Sequence, residues 1–107
     1  MVRLHTVGRK SGAKRVAIVG YYEDGPNLVT MAMNGWGKPE PAWWLNAQAQ
    51  PEVTIDTVTG KRRAYLREAT GDERTRLWAR WATYDKGLDQ LAAKRDHQTA
   101  VVVIEPR

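Results

Sequence analysis

Val2, Leu4 and Thr6 alternate with Arg3, His5 and Val7, a period of two that predicts a first strand ending at Gly8. From Arg15 to Tyr22 the run RVAIVGYY is β-branched and aromatic, and the turn EDGPN separates it from LVTMAM, Leu28 to Met33, which predicts a hairpin. PEVTIDTV and KRRAYLREA predict a second hairpin around Thr59 and Gly60, with Val53, Ile55 and Thr57 on one side of its first arm. The last strand is TAVVVIE, Thr99 to Glu105, whose unbroken apolar run predicts burial on both faces. Six strands in a chain of this length favour a small antiparallel barrel over an open sheet.

Helical periodicity fills two of the gaps. Thr70 and Glu73 have the spacing of a capping box, so a helix is expected from Gly71 to about Thr83, with Leu77, Trp78 and Trp81 on its apolar face. A shorter helix is expected over Pro41 to Gln50, opened by a proline in its first turn and stopped before Pro51. No internal repeat or linker interrupts the 107 residues, which suit one domain with one core.

Composition narrows the function classes. Apolar residues at 42% and charged residues at 27% are ordinary for a globular chain and argue against disorder. With no cysteine, thiolate chemistry, disulfides and sulfur-ligated metals are excluded. The two histidines, His5 and His97, are far apart without a carboxylate at ligand spacing, so no metal is expected. His5 reads as a surface strand residue and His97 as solvated, and Asp85, Asp89 and Asp96 are spaced as surface acids. No apolar run approaches the roughly 18 residues that cross a bilayer, and the first residues lack a signal-peptide core, so a cytoplasmic protein is expected. Met1 stands a residue or two ahead of the first strand, a start compatible with a longer natural N-terminus.

Charge points to a partner. The formal balance is +5, and Arg3, Arg9, Lys10, Lys14 and Arg15 all precede the first acid, Glu23. Within VGRKSGAKRVA the cations surround Ser11 and two glycines. The stretch fails the P-loop pattern, since Arg9 and Leu4 stand where glycines are required. What remains is a Gly-flanked turn exposing amides, a hydroxyl and cations, able to hold a phosphate without hydrolysing it, with Arg15 closing the clamp from the next strand. A solvated basic turn is the plain alternative.

The second cluster is MAMNGWGKPEPAWWLN, Met31 to Asn46. Asn34, Gly35 and Gly37 leave a strand through backbone that a flat ligand can approach closely, and Trp36, Trp43 and Trp44 supply planar surface. Consecutive helical positions point about 100° apart, so Trp43 and Trp44 are not both expected to face one core.

TVGRKSGAKRV, NGWGKPEPAWWLN and AVVVIEP occur in an order and spacing that resemble the deazaflavin-dependent nitroreductase family, and the likeness runs from about Leu4 to Pro106. The resemblance implies a single α+β domain, a six-stranded antiparallel split β-barrel of FMN-binding-like type, and coenzyme F420 as cofactor. It implies that Lys10, Ser11 and Arg15 hold the cofactor phosphate, with Arg9 and Lys14 beside its carboxylates. It further implies that Ala32, Met33, Asn34 and Gly35 lie along the deazaflavin ring, with Ala42, Trp43 and Asn46 at the ring's other side. The chain departs from the family's usual pattern at Gly20, Leu88 and Leu91, where aromatic residues are common, and at Ala100, where proline is usual. Trp81 and Tyr84 are the substrate-side candidates that would compensate, and no acid-base catalyst is assigned.

The activity so implied is hydride transfer from the reduced deazaflavin to an electron-poor small molecule: an enone, a quinone or a nitro compound. Such chemistry belongs to the cofactor, which accounts for the lack of an evident catalytic acid or base. A homodimer is implied as well. The rivals are an FMN-binding split-barrel oxidoreductase, a non-catalytic F420 carrier, and a nucleic-acid-binding barrel; the last is disfavoured because Trp43 and Trp44 fall on a helix and not on a sheet face.

Overall fold

The computed structural model describes residues 2–33, 41–85, 88–93 and 99–107. Seven strands and three helices follow in the order β1 (Val2–Val7), β2 (Lys14–Val19), β3 (Tyr22–Asp24), β4 (Asn27–Met31), α1 (Ala42–Ala49), β5 (Glu52–Thr57), β6 (Gly60–Glu68), α2 (Gly71–Tyr84), α3 (Leu88–Ala93) and β7 (Val101–Pro106). The strands form one antiparallel sheet in the order β2-β1-β5-β6-β7-β4-β3, curled into the half-barrel of a split-barrel α+β fold.

The fold class is the expected one, with seven strands in place of six. The run Arg15 to Tyr22 does not stay in one strand: it ends at Val19 and resumes at Tyr22 on the opposite edge of the sheet. The carbonyl of Gly20, inside the break, accepts the Thr30 hydroxyl at 2.7 Å, which fixes the crossing point. The helix α3 was not anticipated from the sequence; Leu88 at its start is fully buried.

Two apolar clusters lie on opposite faces of the sheet. Inside the curl, Val2, Leu4, Val53, Ile55, Leu66, Val102 and Ile104 pack with Trp43, Trp44 and Ala47 of α1. Outside it, Val29, Met31, Val101, Val103 and Tyr22 pack under Leu77, Trp78 and Trp81 of α2. Strand β7 therefore sends alternate valines to each cluster, as its unbroken apolar run predicts. The outer face of β2, β1 and β5 has no such cover among the described residues, and Val16 and Ile18 there are 56% and 61% exposed.

Helix α2 starts at Gly71 as expected, but not through the capping box. Thr70 makes no side-chain capping bond, and Gly71 sits at φ +59°, which turns the chain before the helix in a way a side-chain cap does not fit. Glu73 is engaged elsewhere: Arg67 donates to both its oxygens at 2.6 and 2.9 Å and to Glu105 at 2.8 Å. The Arg67 guanidinium holds the Glu73 carboxyl below the usual glutamate range and ties α2 to β6 and β7.

Tyr22 joins β3 to α2. Its hydroxyl donates to the Leu77 carbonyl at 2.9 Å, and the guanidinium of Arg80 lies 4.4 Å from its ring centre. Burial pushes its hydroxyl up to about 12 from 10.0, with Arg80 opposing. Because the folded state resists ionisation, this contribution to stability is complete below about pH 10 and is lost as pH rises through about 12. Tyr22→Phe should cost about 1 kcal/mol in urea unfolding at neutral pH. It should also flatten part of the alkaline decline, and an unchanged alkaline limb would contradict this account.

Candidate functional site

The basic stretch is the loop between β1 and β2, and it is closed by its own backbone. Gly8 N–H donates to the Ala13 carbonyl at 2.8 Å, Gly12 N–H to the Gly8 carbonyl at 2.8 Å, and Ala13 N–H to Ser11 Oγ at 3.2 Å. The two glycines serve different ends. Gly12 adopts φ +72°, whereas a Cβ on Gly8 would stand 2.8 Å from Ser11 Oγ. The loop is thus a tight turn whose hydroxyl is set by the amide it receives.

A cleft of about 540 Å³ separates this turn from α1. Gly8, Arg9, Lys10 and Ser11 form one wall, and Arg15 and Ala17 of β2 continue it. Pro41, Ala42, Trp43 and Asn46 form the other. Arg15 pairs across the sheet with Thr6, whose side chain shares the buried face of Val2 and Leu4, so β-strand parity aims Arg15 into the curl. One end of the cleft is therefore cationic and the other is walled by an indole and small apolar side chains.

Many cations outside this turn are paired with acids. Arg3 and Lys61 pair with Asp56, Arg63 with Glu52, Arg67 with Glu73 and Glu105, and Arg76 and Arg80 with Asp24. Among the described residues no carboxylate pairs with Arg9, Lys10, Lys14 or Arg15. Arg9, Lys10 and Arg15 line an open cleft with no carboxylate partner among the described residues, and field lines between low-dielectric walls favour an anion there.

Of the residues singled out in the sequence, Arg9, Lys10, Ser11, Arg15, Ala42, Trp43 and Asn46 come together in this cleft. Lys14 stands at the exposed start of β2, outside the lining. Ala32 is fully buried in the inner cluster with its N–H on the Ala100 carbonyl, and Met33 packs toward α2 in the outer cluster, so neither lines the cleft. Asn34, Gly35 and Trp36 lie outside the described residues, as does His97.

Trp81 and Tyr84 do not reach the cleft. Their rings stand 5.7 Å from that of Tyr22, because α2 packs on the outer face of the sheet. Trp43 and Trp44, not both expected to face one core, do share the inner cluster, and Trp43 also lines the cleft. They are 8% and 5% exposed, with ring centres 6.2 Å apart, since α1 lies within the curl and meets β1, β2 and β6 together. Thr6, Ala17 and Pro41 were not singled out beforehand. The parity of Thr6 with Leu4 was the available signal for the first.

His5 does acquire a carboxylate, since β5 brings Asp56 Oδ2 to 2.8 Å from its Nε2. Lys61 donates to the same group at 3.0 Å, and these two bonds hold the Asp56 carboxyl below the usual aspartate range. Among the described residues no three metal-ligating side chains cluster. No helix of the described residues is long and apolar enough to cross a membrane.

The model of the F420H(2)-dependent quinone reductase family matches residues 1–106. The chain belongs to that family. It is 28% identical over 99 residues to a Mycobacterium tuberculosis protein named for F420H(2)-dependent quinone reduction, covering 92% of this chain and 83% of the relative. A solved F420-H2 dependent reductase superposes with TM-score 0.83 at 26% identity, over 97% of this chain and 92% of that one. A second structure, described as a domain-swapped dimer, gives 0.79 at 28% identity, over 97% and 78%. Like its relatives, this F420H(2)-dependent quinone reductase family member is an F420-dependent oxidoreductase, with coenzyme F420 as its cofactor and F420H2-dependent reduction as its reaction class.

The turn itself is open to test. Gly8→Ala should force Ser11 Oγ off the Ala13 amide, lowering stability by about 1 kcal/mol. It should also weaken binding of F420, read by tryptophan quenching. Retention of both would show that the close approach of Gly8 and Ser11 is not needed.

Proposed function

We propose that the cleft between the β1–β2 turn and α1 holds coenzyme F420, with Lys10, Ser11 and Arg15 on its phosphate, Arg9 and Lys14 beside its carboxylates, and Trp43 and Ala42 along its ring. The observation that carries this reading is the set of cations without carboxylate partners among the described residues, at one end of a cleft whose other end is apolar. The donor set fits the group: the Lys10 and Ser11 amides and the Ser11 hydroxyl are those the turn can offer a phosphate, its other amides being bonded within the protein, and the additional cations match a tail that carries several negative charges. Asn34 and Gly35 belong to the same reading beside the ring; Ala32 and Met33, which do not line the cleft, do not.

Bound there, the reduced deazaflavin supplies a hydride to an electron-poor acceptor. The protein's part is to bind, orient and exclude water, and holding donor and acceptor in contact is worth up to ~7–11 kcal/mol of barrier in favourable cases. The names borne by the family and its relatives favour a quinone as acceptor, ahead of enones and nitro compounds. Trp43 contributes a wall fixed by the inner cluster. Truncating it would collapse core and cleft together, so Trp43→Phe is the informative change.

Titration with F420, FMN and a short oligonucleotide, followed by tryptophan quenching, tests the assignment. F420 should bind at least about tenfold more tightly than FMN, and Lys10→Ala and Arg15→Ala should each weaken it about tenfold, the loss of one charge-assisted contact. Preference for FMN would favour the flavin enzyme, and salt-sensitive binding of the oligonucleotide alone would favour the nucleic-acid reading. Binding of F420 without oxidation of its reduced form by any quinone would favour a carrier.

A homodimer is also proposed, through the uncovered outer face of β2 and β1, where Val16 and Ile18 stand exposed on an edge strand. The domain-swapped neighbour supports pairing between copies of this fold. Sedimentation velocity should give a dimer that Ile18→Asp converts to monomer; a monomeric unmodified protein would refute it.

A further inference from the structure

Asn46 is the buried polar side chain of α1, 3% exposed among Trp43, Trp44 and Ala47. A carboxamide in such a place requires partners, and it has three. Its Oδ1 accepts the Arg9 backbone N–H at 3.2 Å and Arg9 Nη1 at 3.1 Å, and its Nδ2 donates to Thr6 Oγ1 at 3.4 Å. Thr6 is itself 3% exposed. One side chain of α1 thereby grips the end of β1 and the first cation of the turn, from both its backbone and its guanidinium.

We infer that Asn46 is a positioning residue that pins Arg9 and the basic turn in a binding-ready arrangement without neutralising the charge. This differs from a direct contact with the cofactor ring, because both ends of the carboxamide are already engaged within the protein. The chemistry explains the residue type. Aspartate at this position would keep the acceptor for Arg9 but lose the donor to Thr6, and it would pair one of the cations that the site needs uncompensated. Leucine would fill the space yet leave the Arg9 N–H and the Thr6 hydroxyl without this partner. Rigid attachment of a donor before the ligand arrives lowers the ordering cost of binding, a general route to affinity.

The inference rests on the cleft as the F420 site, and the test separates the two. Affinity for F420 is measured by tryptophan quenching, and folding by thermal melting, for Asn46→Asp, Asn46→Leu, Thr6→Val, Arg9→Ala, the Asn46→Leu/Arg9→Ala double variant and Lys10→Ala. Asn46→Asp should weaken F420 binding by about tenfold or more, since it neutralises Arg9. Asn46→Leu should weaken it by at least about fivefold, and that effect should be smaller once Arg9 is alanine, the remainder coming from the Arg9 backbone N–H that still donates to Asn46. Thr6→Val should cause a smaller loss in the same direction. Additive effects of Asn46→Leu and Arg9→Ala, or full affinity in Asn46→Asp, would overturn the positioning role. If Asn46→Leu does not fold, Asn46→Asp and Thr6→Val decide the question by the same criterion. Loss of affinity in Lys10→Ala with none in the Asn46 variants would leave the cleft assignment standing and remove only this inference. No loss in Lys10→Ala would remove the assignment itself.

Discussion

Two residues set the shape of this protein. Gly20 and Tyr21 connect β2 to β3, and those strands are the two edges of a seven-stranded sheet. In a flat sheet with ~4.8 Å between strands the edges would lie on the order of 29 Å apart. The link from Val19 to Tyr22 reaches at most about 11 Å. The sheet must therefore curl until its edges approach, and the rest follows: a concave face that encloses α1, a convex face that receives α2 over one half, and a β1–β2 turn brought against the start of α1.

The curl also explains why α1 looks unlike a surface helix. Trp43, Trp44, Asn46 and Ala47 are all buried, a wide contact face left open only at Ala42, Gln48 and Ala49. Trp43 and Trp44 can then both be core residues while Trp43 still walls the cleft. The helix's buried polar residue, Asn46, is satisfied by the strand and the turn that the curl brings to it.

Charge is distributed with the same logic. Around α2 and the β5–β6 hairpin, cations meet acids from distant parts of the chain, such as Arg76 with Asp24 and Arg67 with Glu73 and Glu105. These pairs tie helix to sheet. The β1–β2 turn carries four cations and no such acids, so its attraction for anions is left to a ligand.

The sequence by itself determined the strands, the two longer helices, the cationic turn and, through three motifs taken together, the deazaflavin family. These are legible because each depends on local chemistry: period-two alternation, a proline at a helix start, glycines where a turn needs them. Tertiary structure alone decided where the long second strand breaks, because that depends on the two edges meeting. It alone replaced the capping box of Thr70 and Glu73 with an Arg67 clamp, since a bidentate guanidinium from β6 competes for the same carboxylate. It also gave Asp56 to His5 and Arg9 to Asn46, and carried Trp81 and Tyr84 to the face away from the cleft. Such pairings join residues distant along the chain, and the energy that selects them exists only after the sheet has curled.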